Sequence, residues 1–113
     1  MDNVKNDEYY VKKIISDLSF VLLHTKGISK EQFADNEVLI DSVLFRLIQV
    51  SENSDRLSAA FRESHGEIPW RAMRGLRNRI VHDYGKVDLT VIYETVVNDL
   101  PPLLRELENV LED

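Results

Sequence analysis

Apolar residues recur by threes and fours along most of the chain. Val11, Ile14, Ile15, Leu18, Val21 and Leu22 fall on one face at helical spacing. They predict a first helix from Asn6 or Asp7 to Thr25, with Asp7 and Glu8 at the positive end of its dipole and Gly27 as a left-handed stop. Ser29-Lys30-Glu31-Gln32 reads as a capping box that opens a short helical turn. Ile40, Val43, Leu47, Val50, Ser54, Leu57 and Phe61 then predict a long second helix, from Asn36 to Glu63, with the spacing of knobs-into-holes packing. Leu44 and Ile48 add a second stripe beside the first, so this helix should be contacted on two sides.

Ser64 to Ile68 reads as a loop broken at Gly66, and Pro69 as the first position of a third helix, where a missing N–H costs nothing. Trp70, Met73, Leu76 and Ile80 form the apolar stripe of that helix, and Gly85 marks its end. Asp88 caps a fourth element, in which Leu89, Ile92, Val96, Leu100, Leu103, Leu107 and Val110 keep helical spacing to the C-terminus. Pro101-Pro102 must kink or restart it, with Asn98 or Asp99 capping the restart. No segment alternates with the period of a strand. The expected fold is all-α, an antiparallel four-helix bundle with a kinked C-terminal helix, in a single domain spanning residues 1–113.

Composition narrows the chemistry. The chain has no cysteine, which excludes disulfides, thiolate zinc sites and a cysteine nucleophile and suits a cytoplasmic protein. The start, MDNVKNDEYY, is polar and unlike a signal peptide, and no apolar run reaches the ~20 residues of a membrane span. His24, His65 and His82 lie at no recognisable metal spacing, so neither a metal site nor a cofactor is expected. The net charge of −6 argues against binding nucleic acid with the whole surface. The charge is uneven, however. Trp70 to Lys86 carries Arg71, Arg74, Arg77, Arg79 and Lys86 against Asp83 alone, whereas Asp88 to Asp113 holds seven acids and one base, Arg105.

Within the basic stretch, Arg71, Arg74 and Asn78 share a polar face. Arg77 does not: it projects between Trp70 and Met73 on the apolar side, where an arginine must be paired or must border a cleft that a ligand enters. His82 follows five residues later, about 140° around an unbroken helix. The two can share one ligand only if the helix ends between them or if two copies of the motif meet. Converged, they are the tools of metal-free phosphodiester cleavage in RNA. A neutral imidazole takes the proton of a ribose 2′-hydroxyl, and a guanidinium fork meets the growing charge on the phosphate oxygens. Asn78 can position either group, and Arg71, Arg74 and Arg79 can lead the RNA backbone in. On pattern alone His82 also reads as a cap on the helix dipole, Tyr84 as a half-buried aromatic closing the helix, and Glu52 as a solvated glutamate.

Arg77-Asn78-Arg79-Ile80-Val81-His82, continued through Asp83 to Tyr84, resembles the R-x4-H-x-Y form of the HEPN superfamily motif found in HepT-type toxins. Ile68-Pro69-Trp70 before it, and Asp99-Leu100-Pro101 with Leu103 after it, are also similar to that family. The resemblance implies an all-α HEPN bundle that forms a homodimer, with two motifs lining one composite cleft. It further implies a metal-independent ribonuclease toxin in which Arg77 and His82 are catalytic and Asn78 supporting, with RNA, tRNA among the candidates, as substrate. The implied partner is a minimal nucleotidyltransferase antitoxin that transfers AMP to Tyr84. One departure stands out: the family's Gly-Glu-Ala in the second helix is Ser51-Glu52-Asn53 here, which keeps the glutamate as a possible cleft residue and alters the small residues beside it. Two other readings fit the same residues: a non-catalytic HEPN module binding a nucleotide or a protein, and a structural dimer whose basic helix pairs with the acidic C-terminal segment.

Overall fold

The computed structural model describes residues 6–112. Met1–Lys5, half of the polar start, and Asp113 lie outside the described residues. The described chain is all helix and turn: α1 (Asp7–Thr25), α2 (Lys30–Ala34), α3 (Glu37–Asp55), α4 (Ala59–Ser64), α5 (Trp70–His82), α6 (Leu89–Glu94), a π-helical turn (Thr95–Asp99) and α7 (Leu100–Glu112). No strand occurs among the described residues, and none of their helices is long and apolar enough to cross a membrane.

Local chemistry accounts for most boundaries. The Asn6, Ser29, Asn36, Ser58 and Asp88 side chains each accept a backbone N–H at a helix start, and Ser29 and Gln32 form the full capping box. Gly27 and Gly85 sit at φ 73° and 92°, left-handed positions that a side chain would strain.

Helix α3 is the central element. It packs on α1 along one side and on α5 along the other, and α1 also meets α7. The two apolar stripes of α3 are thus both used within the chain. The core runs from Val11, Ile14, Leu18 and Val21 through Val43, Leu47 and Val50 to Ile80, Ile92, Val96, Leu103 and Leu107. At about 1.5–3 kcal/mol for each fully buried aliphatic side chain, this is the main term opposing chain entropy. A buried carboxylate also sits in the α1–α3 seam. Asp17, with its side chain 7% exposed, accepts from Arg46 at 2.8 Å, and the Arg46 guanidinium lies 3.9 Å from the centre of the Phe20 ring.

Three boundaries differ from the sequence reading. The second helix does not reach Glu63. It ends at Asp55, where buried Ser54 bonds back to the Val50 carbonyl, and Ser58 caps a separate α4. Pro69 is the residue before α5 rather than its first, with ψ 67° and no side-chain cap. The C-terminal helix neither stops nor restarts at Asn98 or Asp99. Its backbone stays helical through Leu100, whose N–H reaches back to the Thr95 carbonyl. That single wide turn makes room for the Pro101 and Pro102 rings, which would otherwise press on the carbonyls four residues earlier.

Candidate active site

Helix α5 lies beside α3 and runs antiparallel to it. Arg74 meets Asp55, and one turn on Arg77 meets Glu52, so a step forward along α5 is a step back along α3. The Arg77 Nε donates to Glu52 Oε1 at 2.9 Å, and its Nη1 donates to Asn78 Oδ1 at 3.0 Å. Arg77 and Glu52 are each about one-third exposed, at 35% and 37%. The apolar-side arginine is therefore paired and also borders solvent. Two acceptors fix its plane from behind and from the side, and no described residue takes the Nη2 amine. A guanidinium held in this way offers its free edge to a phosphate oxygen without first having to be ordered.

Glu52 is therefore not a freely solvated residue but the carboxylate that orients Arg77. Its neighbours Ser51 and Asn53 are buried within the chain, and the Asn53 side chain donates to the Gln49 carbonyl. The bulk that replaces the smaller residues at these two positions is absorbed internally. Asp55 holds Arg74 at 2.6 Å, and this hydrogen bond, with the added charge attraction, raises the Arg74 pKa above its ordinary value.

His82 is the last residue of α5 and is exposed. The helix does not end between Arg77 and His82, so the early stop that would bring them together within one chain does not occur. They project about 140° apart. Tyr84, 56% exposed, follows the helix end, two residues past His82. Val81, 44% exposed, lies one turn beyond Arg77 on α5, and Phe45, 56% exposed, lies two turns before Glu52 on α3. Val38, two turns before Phe45, extends this uncovered apolar strip.

The three arginines expected to lead RNA in do not share one surface. Arg71 and Arg74 line a pocket between α4 and α5, whereas Arg79 faces a groove between α5 and α7 that also holds Asp99 and Glu106. The ion pairs of α5 run to α3, which does not match a structural pairing of this helix with the acidic C-terminal segment. Among the described residues no three His, Asp or Glu side chains cluster where they could hold a metal ion. Sequence reasoning assigns nothing to Asp55 or Arg62. The only signal for them is charge at a helix end and on the short helix that follows it.

A family model described as ribonuclease HepT-like matches residues 12–110. "Putative RNase TTE0752" of Caldanaerobacter subterraneus subsp. tengcongensis is 29% identical over 109 residues, which cover 96% of this chain and 97% of the relative. "Probable ribonuclease HepT" of Thermococcus cleftensis is 30% identical over 101 residues, 89% of this chain and 92% of the relative. No solved structure matches the chain. The match spans α5 with its arginine and histidine, the glutamate that holds the arginine, and nearly all of the surrounding helices: the chain belongs to the ribonuclease HepT-like family of the HEPN superfamily.

Proposed function

We propose that this protein is a metal-independent endoribonuclease of the toxin type, acting as a homodimer of HEPN-like four-helix bundles. The observation that carries the reading is the Glu52–Arg77–Asn78 arrangement, which fixes a guanidinium at the edge of solvent with one amine free. Family membership supplies the reaction class, and the residues supply its steps. The imidazole of His82 takes the 2′-hydroxyl proton, and the 2′-oxygen attacks the adjacent phosphorus. The bond to the 5′-oxygen breaks, and that oxygen leaves as a hydroxyl once protonated, in turn, by an imidazolium or by water. Arg77 meets the charge on the non-bridging oxygens in the transition state. The products are a 2′,3′-cyclic phosphate and a 5′-hydroxyl, and DNA, lacking the nucleophile, is spared.

Because Arg77 and His82 diverge within a chain, each reaction centre takes Arg77 from one copy and His82 from the other. The exposed Val38, Phe45 and Val81 beside the motif support a second copy on this face. Tyr84 stands exposed just past the end of α5. Transfer of AMP to its hydroxyl by a nucleotidyltransferase antitoxin would put a phosphate where the RNA phosphate goes and so neutralise the enzyme.

The deciding experiment is cleavage of RNA in excess EDTA by unmodified protein, with His82→Ala beside it. Cleavage by the wild type alone, leaving cyclic phosphate ends, is expected. Cleavage by a folded His82→Ala protein at the wild-type rate would refute the mechanism. RNA or nucleotide bound but never cut by the wild type, with intact mass excluding AMP on Tyr84, would assign the chain to the non-catalytic binding modules.

A further inference from the structure

A second cluster of arginines joins two residues of α5, one to two turns before Arg77, with one of α4. It lines a pocket of about 430 Å³ where the end of α3, α4 and the start of α5 meet. Arg62, Arg71 and Arg74 enter this pocket against only two carboxylates, Asp55 and Glu63. Asp55 is shared, held by Arg74 at 2.6 Å with Arg62 at 3.9 Å. Arg71 is exposed and has no hydrogen-bond or ion-pair partner among the described residues. The Trp70 indole N–H, shared between the carbonyls of Arg62 and His65, ties α4 to α5 and forms the pocket's wall.

Packing alone does not account for three guanidinium groups here. One arginine satisfies Asp55, and the corner is already tied by Trp70. The remaining positive charge is concentrated on a protein whose net charge is −6. The start of α5 adds to it. Pro69 provides no side-chain cap, and the positive end of the dipole of this thirteen-residue helix lies beside Trp70 and Arg71, which line the pocket. An anion entering there meets charge-assisted donors from two helices, as at a phosphate site.

We infer that this pocket is a second phosphate subsite, in which Arg62, Arg71 and Arg74 hold the RNA backbone beside the phosphate at Arg77; the inference rests on the ribonuclease reading above. Asp55 occupies a donor of Arg74, with Arg62 nearby at 3.9 Å, until the RNA arrives. Six residues separate Arg71 from Arg77, roughly 9 Å of helix rise. That is on the order of two or three nucleotides of a stacked strand at about 3.4 Å each. The strand therefore tracks the α3–α5 seam toward α4. Arg79, in the opposite groove with Asp99 and Glu106, is off that track.

The test is binding of a fluorescent single-stranded RNA to full-length His82→Ala protein, read by anisotropy over a range of salt concentrations. Adding Arg62→Gln and Arg71→Gln should weaken binding severalfold and reduce the slope of log K against log salt by about 0.7 for each phosphate that is no longer neutralised. Asp55→Asn should tighten binding. Lys30→Gln, which removes one positive charge on α2 outside the pocket and so matches Arg71→Gln alone, should do neither. Arg71→Gln alone, at an exposed and partnerless residue, keeps the test valid if the double variant fails to fold. An unchanged slope in the arginine variants, or an equal effect of Lys30→Gln, removes the subsite and leaves the ribonuclease reading intact. A parent protein that binds no RNA removes both.

Discussion

Replacing Glu52 by alanine deletes the acceptor that holds the Arg77 Nε and leaves the guanidinium tethered only through Asn78. A charge-assisted hydrogen bond between buried partners contributes about 1.5–3 kcal/mol. These side chains are 35% and 37% exposed, and solvent screening lowers the figure toward that of surface pairs, to about 1 kcal/mol. The expected result has two parts. The protein should melt only a few degrees lower, about 4–8 °C for ~1 kcal/mol in a domain of this size. The cleavage rate at saturating RNA should fall about fivefold, because roughly 1 kcal/mol of transition-state positioning disappears. Arg77→Ala removes the charge itself and should cost on the order of 10²–10³-fold. The assay is single-turnover cleavage of a fluorophore–quencher RNA by wild type, both single variants and the double variant. If Glu52 acts through Arg77, Glu52→Ala should have almost no effect in the Arg77→Ala background. A saturating rate that rises in Glu52→Ala would show that the carboxylate competes with RNA for Arg77 rather than orienting it. Additive losses would show that Glu52 acts on something else.

Other outcomes follow from the same structure. Arg46→Ala strands the buried Asp17 carboxylate and should cost about 3 kcal/mol, a drop of roughly 10–20 °C in Tm; Asp17→Asn in the same background should recover part of it. His82→Ala, at an exposed helix end, should shift thermal stability by less than about 0.5 kcal/mol while abolishing cleavage, so melting and activity should separate cleanly. Mixing and re-equilibrating Arg77→Ala and His82→Ala proteins, each inactive alone, should restore about a quarter of wild-type sites by random pairing of chains in a two-fold dimer. Persistent inactivity of a mixture shown to exchange subunits would place both residues of each centre on one chain. Phe45→Glu should give a monomer on size-exclusion chromatography with no ribonuclease activity.

The helices are legible in the sequence wherever a stripe and a cap coincide, as for α1 with Asn6 and Gly27 and for α2 with its capping box. The break in the long second helix is not. Ser54 and Leu57 preserve the apolar period across Arg56, so the pattern runs on although the backbone turns at a serine cap. The C-terminal prolines read as a kink or a restart because two consecutive rings remove two N–H donors, yet one widened turn accommodates them within a continuous helical backbone. At the candidate site, the odd placement of Arg77 among apolar residues shows that it needs a partner. The identity of that partner depends on the register of α3 against α5, which no single-helix pattern contains. Asp55 and Arg62 are invisible for the same reason: their meaning comes from a corner between two helices that the apolar period runs together as one.

On the proposed two-copy site, the unbroken run of α5 through His82 makes dose the controlling variable. One chain, alone, keeps its arginine and its histidine on diverging sides of a rod and, on the proposed two-copy site, cuts nothing. Output then grows as the square of concentration while the chain is dilute and becomes linear only after pairing saturates. On that proposal a few dilute copies are close to inactive by geometry alone. Doubling a small amount would raise cleavage fourfold, and the threshold would move with any change on the Phe45 face.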